Sequence, residues 1–497
     1  MQGKCRLHGA TIKGVKALLV EVEVSIGSGI PGFTIVGMPD ASIQESRERV
    51  KAAIKACGFT MPSQKIVVNL APSALRKTGS GFDLPIALGI LGASGQIPLE
   101  PLRDVVLVGE LSLEGLVRPV AGLLACALCA ARKEWKLVSA YTHELSSMSE
   151  HRCLEVISLH DFTKPLETYV TPCTFQRSTY GCDFADIAGH EMTKRALVIA
   201  AVGQHGVLMM GPPGSGKTML ASRIGSILPP LNKTERIEAA VIHSVAGLDP
   251  SDILAGVRPF RAPHHSISLA GLVGGGTPLR PGEISLAHHG VLFLDEMAEF
   301  SPAVLQGIRQ PLESGVLTLT RAEGSITFPS KFMLMAATNP CPCGNYGSDE
   351  AVCKCTLPQI KRYQGRIGGP LLDRIDMHLE VMRMKAHAVM QSGSGTSSAQ
   401  LHDEVMRGCE FRDWRLARTG GENPRQSKAL VEACQLSCAD QCAFEALAQQ
   451  SRLSGRGIIR TLSLARTIAD LAESNTVGIE HIYEAFALRL REESDDV

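Results

Sequence analysis

Alternating apolar and polar positions predict strands in the first third of the chain. Leu18–Val24 alternates in this way, and we expect the short apolar segment Phe33–Val36 to pair with it across a glycine-rich turn. Asp40 is suited to cap a helix over Ala41–Cys57. The pattern then predicts a strand, a helix, a strand pair and a last helix, at Lys65–Leu70, Phe82–Leu91, Val105–Gly109 with Glu110–Val117, and Leu123–Arg132. These elements predict an α/β domain over residues 1–170, followed by a linker over 171–184.

Short segments that are apolar throughout predict a different sheet in the middle of the chain. Leu208–Met210, Val291–Leu294 and Phe332–Ala337 would be buried on both faces, and a helix over Lys217–Leu228 follows the first of them. Strands of this kind, separated by helices, are typical of a parallel sheet that helices cover on both sides. We therefore expect a second α/β domain over residues 185–384.

The last part of the chain, residues 385–497, has a helical pattern and predicts a third, all-helical domain. A low-complexity segment at Met390–Gln400 predicts a loop near its start. Cys434, Cys438 and Cys442 recur every four residues, so we expect them to be small buried side chains on one face of one helix.

Composition limits the classes of protein that fit this pattern. The 497 residues carry 50 basic and 50 acidic side chains, so no overall positive field indicates nucleic acid or a membrane surface as a partner. No apolar stretch approaches the ~20 residues that a bilayer requires, and no signal pattern precedes the first strand, so we expect a cytoplasmic protein. In that compartment the 15 cysteines would be reduced thiols or metal ligands.

The segment Gly211–Thr218 matches the phosphate-binding loop pattern, and it lies between an apolar strand and a helix, as that motif requires. Backbone N–H groups of such a loop point at phosphate oxygens, and the helix that follows adds its positive end. Lys217 would contact the β- and γ-phosphates, and the Thr218 hydroxyl would bind Mg²⁺. We therefore predict ATP and Mg²⁺ as cofactors, bound by Gly211, Pro212, Pro213, Gly214, Ser215, Gly216, Lys217 and Thr218.

Polar side chains follow the other two apolar strands. Asp295 and Glu296 come directly after one of them, and Asn339 follows the next. Together with the phosphate loop, Asp295 is predicted to bind Mg²⁺ through water, and Glu296 to polarise the water that attacks the γ-phosphate. Asn339 could orient the same water, although a simple turn at the end of the strand would also place a polar residue there.

Four cysteines within fifteen residues form two Cys-x-Cys pairs, Cys341 with Cys343 and Cys353 with Cys355. Four thiolates can bind Zn²⁺ in a tetrahedron, so a structural zinc site beside Asn339 is one interpretation. Free or redox-active thiols are the alternative, since this spacing is tighter than that of the common zinc knuckle.

Together, these motifs resemble the magnesium-chelatase branch of the AAA+ ATPases. The resemblance extends over nearly the whole chain and implies an AAA+ P-loop αβα core, a C-terminal helical lid and an N-terminal domain with the Lon-protease, ribosomal-S5-like fold. Further stretches that carry it are Asp186–Gly189, Arg261–Ser266, Gly282–Gly290, Asn339–Gly344 and Gly369–Asp376.

The resemblance also assigns roles outside the nucleotide motifs. Arg374 matches the arginine finger that contacts the γ-phosphate bound by a neighbouring subunit. Arg456 matches the second sensor, and Arg460, four residues further along the chain, is an alternative for that role. Ile187 and Gly189 match the backbone segment that flanks the adenine.

Two further segments match elements that point into the pore of related rings. Arg258–Gly290 corresponds to the helix-2 insert of this branch, and Val316–Phe328 corresponds to a hairpin. Arg321, at the expected hairpin tip, would contact a phosphate backbone without reading its sequence. His264 and His265 of the insert could be metal ligands or polar packing, and the lack of a carboxylate at ligand spacing favours packing.

The N-terminal domain departs from the proteases that it resembles. Gly81 stands at the position of the catalytic serine, and Leu124 at that of the lysine, so both nucleophile and base are missing. Ser80 with Lys77 as its base is the remaining possibility for peptide hydrolysis. We instead expect a rigid platform for DNA contact or ring assembly.

The function that the resemblance implies is that of a ring-forming, ATP-dependent DNA motor. Among members of this branch the chain resembles the bacterial competence proteins, which implies a hexameric helicase for branch migration of recombination intermediates in natural transformation. Its partners would be single-stranded or branched DNA, other copies of the chain and recombination proteins. The alternative is a chelatase-type or protein-remodelling ATPase acting on a protein, because the local basic stripes could equally be solvated faces.

Overall fold

The computed structural model describes residues 3–148, 152–171, 174–175, 181–277, 279–321, 324–347, 351–384, 395–419 and 427–489. The N-terminal part contains a seven-stranded mixed sheet in the order β3-β4-β2-β1-β5-β8-β9, and β6 and β7 form a separate short ladder. Its strands are β1 (Gly3–Lys13), β2 (Lys16–Gly27), β3 (Gly32–Val36), β4 (Lys65–Ala71), β5 (Val105–Leu107), β6 (Glu110–Leu111), β7 (Val117–Arg118), β8 (Lys136–Ser139) and β9 (Cys153–Glu155).

Two predicted strand pairings in this sheet are wrong. The strands β2 and β3 do not pair with each other, because β4 lies between them and pairs antiparallel with β2 and parallel with β3. Nor does Val105–Gly109 pair with the residues after it, since β5 joins the main sheet between β1 and β8 and only β6 pairs with β7. Apolar alternation indicates which face of a strand is buried, but it does not identify the neighbouring strand.

Three helices pack on this sheet close to where the sequence predicts them: α1 (Ala41–Ala56), α2 (Asp83–Ala93) and α3 (Leu123–Ala131). The Asp40 carboxylate caps α1 by accepting a hydrogen bond of 2.9 Å from the Ile43 amide. The helix α2 is buried from Asp83 to Leu91, which explains why its sequence is apolar apart from Asp83, whose carboxylate pairs with Arg49.

The second sheet has five parallel strands in the order β11-β14-β17-β10-β18. These are β10 (Val207–Met210), β11 (Phe260–Arg261), β14 (Val291–Leu294), β17 (Met333–Thr338) and β18 (Met377–Glu380). The strands β14 and β17 are buried at every position, as their apolar sequences predict. The helices of this region are α4 (Glu191–Gly203), α5 (Lys217–Ile227), α6 (Lys233–Ala246), α7 (Ser251–Leu254), α8 (Leu269–Val273), α9 (Glu283–Leu286), α10 (Pro302–Ser314), α11 (Leu357–Gly365) and α12 (Gly369–Leu372).

Two small ladders extend from this core. Within the predicted insert, β12 (Gly274–Gly275) pairs with β13 (Arg280–Pro281). The predicted hairpin consists of β15 (Val316–Arg321) and β16 (Gly324–Pro329), and Arg321 pairs with Gly324 at the tip. Its two strands carry exposed threonines and serines that face one another across the ladder, as Thr318 and Thr327 do.

The C-terminal part is helical, as predicted, with α13 (Ser398–Thr419), α14 (Ser427–Cys434), α15 (Cys438–Gln450), α16 (Gly455–Leu471) and α17 (Ile479–Arg489). Residues 390–394 of the predicted loop Met390–Gln400 lie outside the described residues, and its last three residues belong to α13. The three regularly spaced cysteines do not share one helix, because Gln435 adopts a positive φ and Ser437 caps a new helix. Cys434 is buried, but Cys438 and Cys442 are exposed, so their predicted burial is wrong.

One apolar cluster joins the N-terminal domain to the second domain. It combines residues of α3, such as Leu124 and Ala127, with Ala240 and Val241 of α6 and with Ile253 of α7. At its edge the Gly122 amide donates a hydrogen bond of 2.9 Å to the Ser244 carbonyl. The two sheets and the C-terminal helices confirm the expected α/β fold class. None of the helices in the described ranges is long and apolar enough to cross a bilayer.

Candidate nucleotide-hydrolysis site

The phosphate loop connects the end of β10 to the start of α5 in a tight turn. Gly214 and Gly216 have φ values of 75° and 89°, which side chains with a Cβ rarely adopt. A Cβ on Gly211 would collide with the carbonyl of Val381, so only glycine fits against the backbone directly after β18. The sequence forms this turn because these glycines allow the backbone to curl around a concave, N–H-lined surface.

The Lys217 side chain closes over this loop. Its Nζ donates to the Gly211 and Pro212 carbonyls at 2.8 and 2.9 Å, and it lies 3.3 Å from Oδ1 of Asn339. Burial lowers the pKa of Lys217, and the nearby Asp295 carboxylate opposes that shift. Since the ammonium is bound to neutral oxygens, an arriving phosphate could displace them and gain a full ionic contact.

Three predicted site residues meet at one edge of the sheet. The parallel strands β14 and β17 place Asp295 and Asn339 beside the phosphate loop, and the Thr218 hydroxyl donates to Oδ2 of Asp295 at 2.8 Å. A hydroxyl and a carboxylate oxygen at this separation are ligands of the kind that Mg²⁺ prefers. The structure thus brings these three residues and Lys217 together, although Asp295 and Asn339 lie far from the phosphate loop in the sequence.

Glu296 occupies a distinct position next to Asp295. Its backbone has a φ of 51°, and 57% of its side chain is exposed. His265 lies beside it, with Nδ1 3.6 Å from Oε2 of Glu296, and the His265 ring stacks on His264 at 4.0 Å between centroids. Sequence reasoning treated His265 only as packing or a metal ligand, because nothing in its spacing indicates a contact with Glu296.

The segment around Gly189, which the sequence predicts to flank the adenine, lies near two residues that the sequence analysis missed. Gly189 has a φ of 65°, and a Cβ there would collide with the thioether of Met384. The neighbouring Arg383 donates from Nε to the Pro213 carbonyl at 2.9 Å. Arg383 and Met384 follow β18, and no sequence motif marks them, so only the folded chain shows that they contact Pro213 and Gly189.

The three candidate arginines lie at two different places. Arg374 and Arg456 both contact one carboxylate oxygen, Oε1 of Glu313, at 2.9 and 3.1 Å. Arg460 instead pairs with Asp376. Burial alone would raise the pKa of Asp376, but a hydrogen bond from His205 and the charge of Arg460 together lower it. Arg460 is thus held in the core–lid junction, whereas 57% of the Arg456 side chain is exposed.

The four predicted metal-ligating cysteines form one cluster. The Sγ atoms of Cys341, Cys343 and Cys353 lie 3.4 to 3.7 Å apart, and Cys355 completes a group within 4.8 Å. Zinc–sulfur bonds of about 2.3 Å in a tetrahedron place sulfur atoms about 3.8 Å apart, so the cluster fits Zn²⁺. Backbone hydrogen bonds from Asn345 and Lys354 lower the pKa of the Cys343 thiol to about 6.

The cysteine cluster touches the phosphate loop. Gly344, between the two cysteine pairs, has a φ of 80°, and a Cβ there would collide with the ring of Pro213. At the other side, the Gln364 side chain donates to the Pro340 carbonyl at 2.9 Å. The turn that carries Cys341 and Cys343 is therefore packed between the phosphate loop and α11.

A second group of potential metal ligands in the described residues consists of Glu238, His288 and His289. Nδ1 of His288 accepts the Lys331 amide at 3.0 Å, so in the neutral ring Nε2 carries the proton and faces Glu238 as a donor. This arrangement does not fit a metal site. His264 and His265 belong to neither of these groups; His264 is exposed, and His265 is half-buried beside Glu296.

The structure does not bring Ser80 and Lys77 of the N-terminal domain together as a pair. The Lys77 ammonium binds the Gly37 and Pro72 carbonyls, and the Ser80 hydroxyl donates to Glu110. Gly81 faces Val108, and Leu124 is fully buried. The remaining possibility for peptide hydrolysis, a Ser80–Lys77 pair, therefore has no support from the geometry.

Family models for the magnesium-chelatase subunit ChlI match three parts of the chain. The model "Magnesium chelatase, subunit ChlI" covers residues 183–389, "Subunit ChlI of Mg-chelatase" covers 22–140, and the C-terminal model covers 395–489. The chain belongs to the magnesium-chelatase-like AAA+ ATPase family. This membership agrees with the P-loop site and indicates an ATPase that uses ATP and Mg²⁺, in a family whose members are usually oligomeric.

Similar proteins of known sequence include members of this family from several bacteria. The competence protein ComM of Haemophilus influenzae is 40% identical over 96% of this chain and 95% of its own length. The uncharacterized protein YifB of Escherichia coli is 38% identical over 97% and 96% of the two chains. A magnesium-chelatase 67 kDa subunit of Heliobacterium mobile is 29% identical, but over only 39% of this chain and 30% of its own.

Proposed function

We propose that this site hydrolyses ATP to drive a ring that moves DNA. The observation that carries the ATPase part is the convergence of Lys217, Thr218, Asp295 and Asn339 at the carboxyl edge of a parallel sheet. Lys217 exchanges its carbonyl partners for phosphate oxygens, and Asn339 holds the lysine from the far side. Bound Mg²⁺ would neutralise phosphate charge, with Thr218 and Asp295 holding it.

Glu296 is assigned the role of general base toward the attacking water. Its carboxylate is exposed, next to the metal-binding Asp295 and at the edge of the phosphate loop. Asn339 would orient the same water from β17. Ile187 and Gly189 would contact the adenine together with Met384, so that the adenine ring is bound between two segments of the same subunit.

Arg374 is assigned the role of a finger that acts on the nucleotide of a neighbouring subunit. It follows α12, and in its own subunit it contacts Glu313 and the Pro370 carbonyl. A ring, which we take to be a hexamer, would bring it to the next site. Arg456 shares its carboxylate partner and is exposed, which favours it over Arg460 as the second sensor.

The DNA part of the proposal rests on the competence protein ComM as a full-length relative and on the polar hairpin β15–β16. Arg321 at the hairpin tip is exposed and suited to a phosphate contact, which provides affinity but no sequence preference. We assign the chain to helicase-driven branch migration of recombination intermediates in natural transformation. A chelatase-type or protein-remodelling motor is the alternative class.

Adding single-stranded or branched DNA is expected to raise the ATPase rate, and the stimulation should weaken steeply as salt rises, because phosphate contacts release counterions. The measurement is ATP turnover with each DNA at several salt concentrations. Arg321→Ala should reduce the stimulation without changing the DNA-free rate. Lys428→Ala, at an exposed basic residue of α14, serves as the control. A rate that ignores DNA in every condition would redirect the search to protein partners.

We also propose that Cys341, Cys343, Cys353 and Cys355 bind structural zinc. The sulfur spacing supports a tetrahedral site, and the contact of Gly344 with Pro213 implies that the metal would brace the phosphate loop. Such a site would be closed, with all four positions taken by protein sulfur.

Metal analysis of protein purified without chelator is expected to find about one zinc per chain. The double variant Cys341→Ser/Cys343→Ser should lose this metal and bind ATP more weakly, because the turn against Pro213 loosens. The double variant Cys438→Ser/Cys442→Ser changes two exposed cysteines elsewhere and should retain both metal and affinity. Unmodified protein without zinc would show that the four thiols are free or redox-active.

A further inference from the structure

We infer that Glu313 is a positioning residue that restrains the Arg374 finger and connects it to the hairpin β15–β16. This inference rests on the proposed function of Arg374, and it adds a regulator that neither the motifs nor the family membership assigns. Glu313 is the next-to-last residue of α10, and a single oxygen of its carboxylate lies within 3.1 Å of both Arg374 and Arg456.

The contact holds Arg374 inside its own subunit. Only 12% of the Arg374 side chain is exposed, and Nη1 also donates to the Pro370 carbonyl at 2.5 Å. A guanidinium in this position cannot bind a phosphate of the neighbouring subunit until it leaves Glu313. The carboxylate and the γ-phosphate therefore compete for one cation, and the phosphate carries the larger negative charge.

The root of the hairpin is fixed tightly to Glu313. Gly315, with a φ of 65°, ends α10, and its amide donates to Pro311 at 2.9 Å. The Ser314 hydroxyl donates to the Val316 carbonyl at 2.7 Å, and the Ser330 amide donates to Gly315 at 2.9 Å. Glu313 lies only three residues before the first hairpin strand, and these hydrogen bonds hold the end of α10 to both strands. A tilt of the hairpin therefore moves Glu313.

The junction also includes the lid. Arg456 belongs to α16, and the Ser454 cap of that helix donates to Asp373, the residue before the finger, at 2.8 Å. Glu313 thus connects three parts: the hairpin, the finger segment and the lid. When the hairpin engages a substrate and shifts Glu313, Arg374 is released toward the neighbouring nucleotide, and hydrolysis accelerates.

The test compares ATP turnover by full-length wild type, Glu313→Gln, Arg374→Ala and the double variant, each without DNA. Loss of a partly exposed ion pair corresponds to about a two- to fivefold change, so Glu313→Gln should raise DNA-free turnover by that factor with KM for ATP unchanged. DNA stimulation should fall correspondingly. The double variant should turn over as slowly as Arg374→Ala, because the gain acts through the finger.

Glu484→Gln is the matched control, since Glu484 also pairs with an arginine, Arg195, at 3.2 Å but on α17. Glu313→Asp keeps the charge, shortens its reach and should give a smaller gain, which covers the case in which Glu313→Gln folds poorly. Unchanged or lower turnover in both Glu313 variants, at normal melting temperature, overturns the inference. Wild-type turnover in Arg374→Ala instead shows that the proposed role of the finger is wrong.

Discussion

Glu296→Gln is expected to abolish ATP turnover, by on the order of 10²- to 10⁴-fold, while ATP binding is retained. The amide keeps the size of the side chain and its place beside His265, but it cannot accept a proton from the attacking water. Lys217, Thr218 and Asp295, which we propose to contact the phosphates and the metal, are unchanged. Steady-state turnover and equilibrium binding of a fluorescent ATP analogue measure the two effects separately.

Glu299→Gln provides the control for this experiment. Glu299 lies three residues further along, is also exposed, and pairs with Arg366 at 3.2 Å rather than facing the phosphate loop. The Glu299→Gln variant should hydrolyse ATP at the wild-type rate. Turnover by Glu296→Gln within a fewfold of wild type would falsify the assignment of the general base and would move attention to Asp295.

Arg374→Ala should lower ATP turnover by about 10³-fold or more, since a finger neutralises charge that develops as the γ-phosphoryl group is transferred. Nucleotide binding by the same subunit should persist, because the described partners of Arg374 are Glu313 and Pro370 and not the phosphate loop. Arg366→Ala removes an exposed arginine of the same region and should have little effect. Turnover and binding are measured as above.

Mixing two inactive variants tests whether Arg374 acts between subunits. In a mixed ring, a Glu296→Gln subunit supplies an intact finger, and an Arg374→Ala subunit supplies an intact hydrolysis site. Where the two meet in the correct order, one complete site forms, so the mixture should recover part of the turnover that each variant lacks. If Arg374 served its own subunit, every site would keep one defect, and mixing would restore nothing.

The sequence predicted the parts of the site that depend on local pattern. The phosphate loop needs glycines at fixed spacing, and Asp295 and Asn339 are placed by apolar strands whose parallel arrangement follows from their burial. These elements are where the motifs predict them, and the fold class is confirmed. The roles of the individual residues remain predictions that the experiments above address.

Features that depend on long-range packing could not be predicted in this way. The partner of β3 is set by which strand fits its buried face, and several strands have the same alternation. His265, Arg383 and Glu313 are ordinary polar residues in sequence, and only the folded chain brings them to Glu296, Pro213 and Arg374. The regular spacing of Cys434 and Cys438 was misleading because a helix boundary falls between them.

The apolar cluster between α3 and α6 affects how the two domains can change over evolutionary time. Leu124 on one side and Ala240 and Ile253 on the other are buried by each other, so neither surface is suited to water. A gene fragment encoding the ATPase alone would expose that apolar face, and a foreign N-terminal domain would have to match its shape. We therefore expect a change in side-chain volume on α3 to require a matching change on α6.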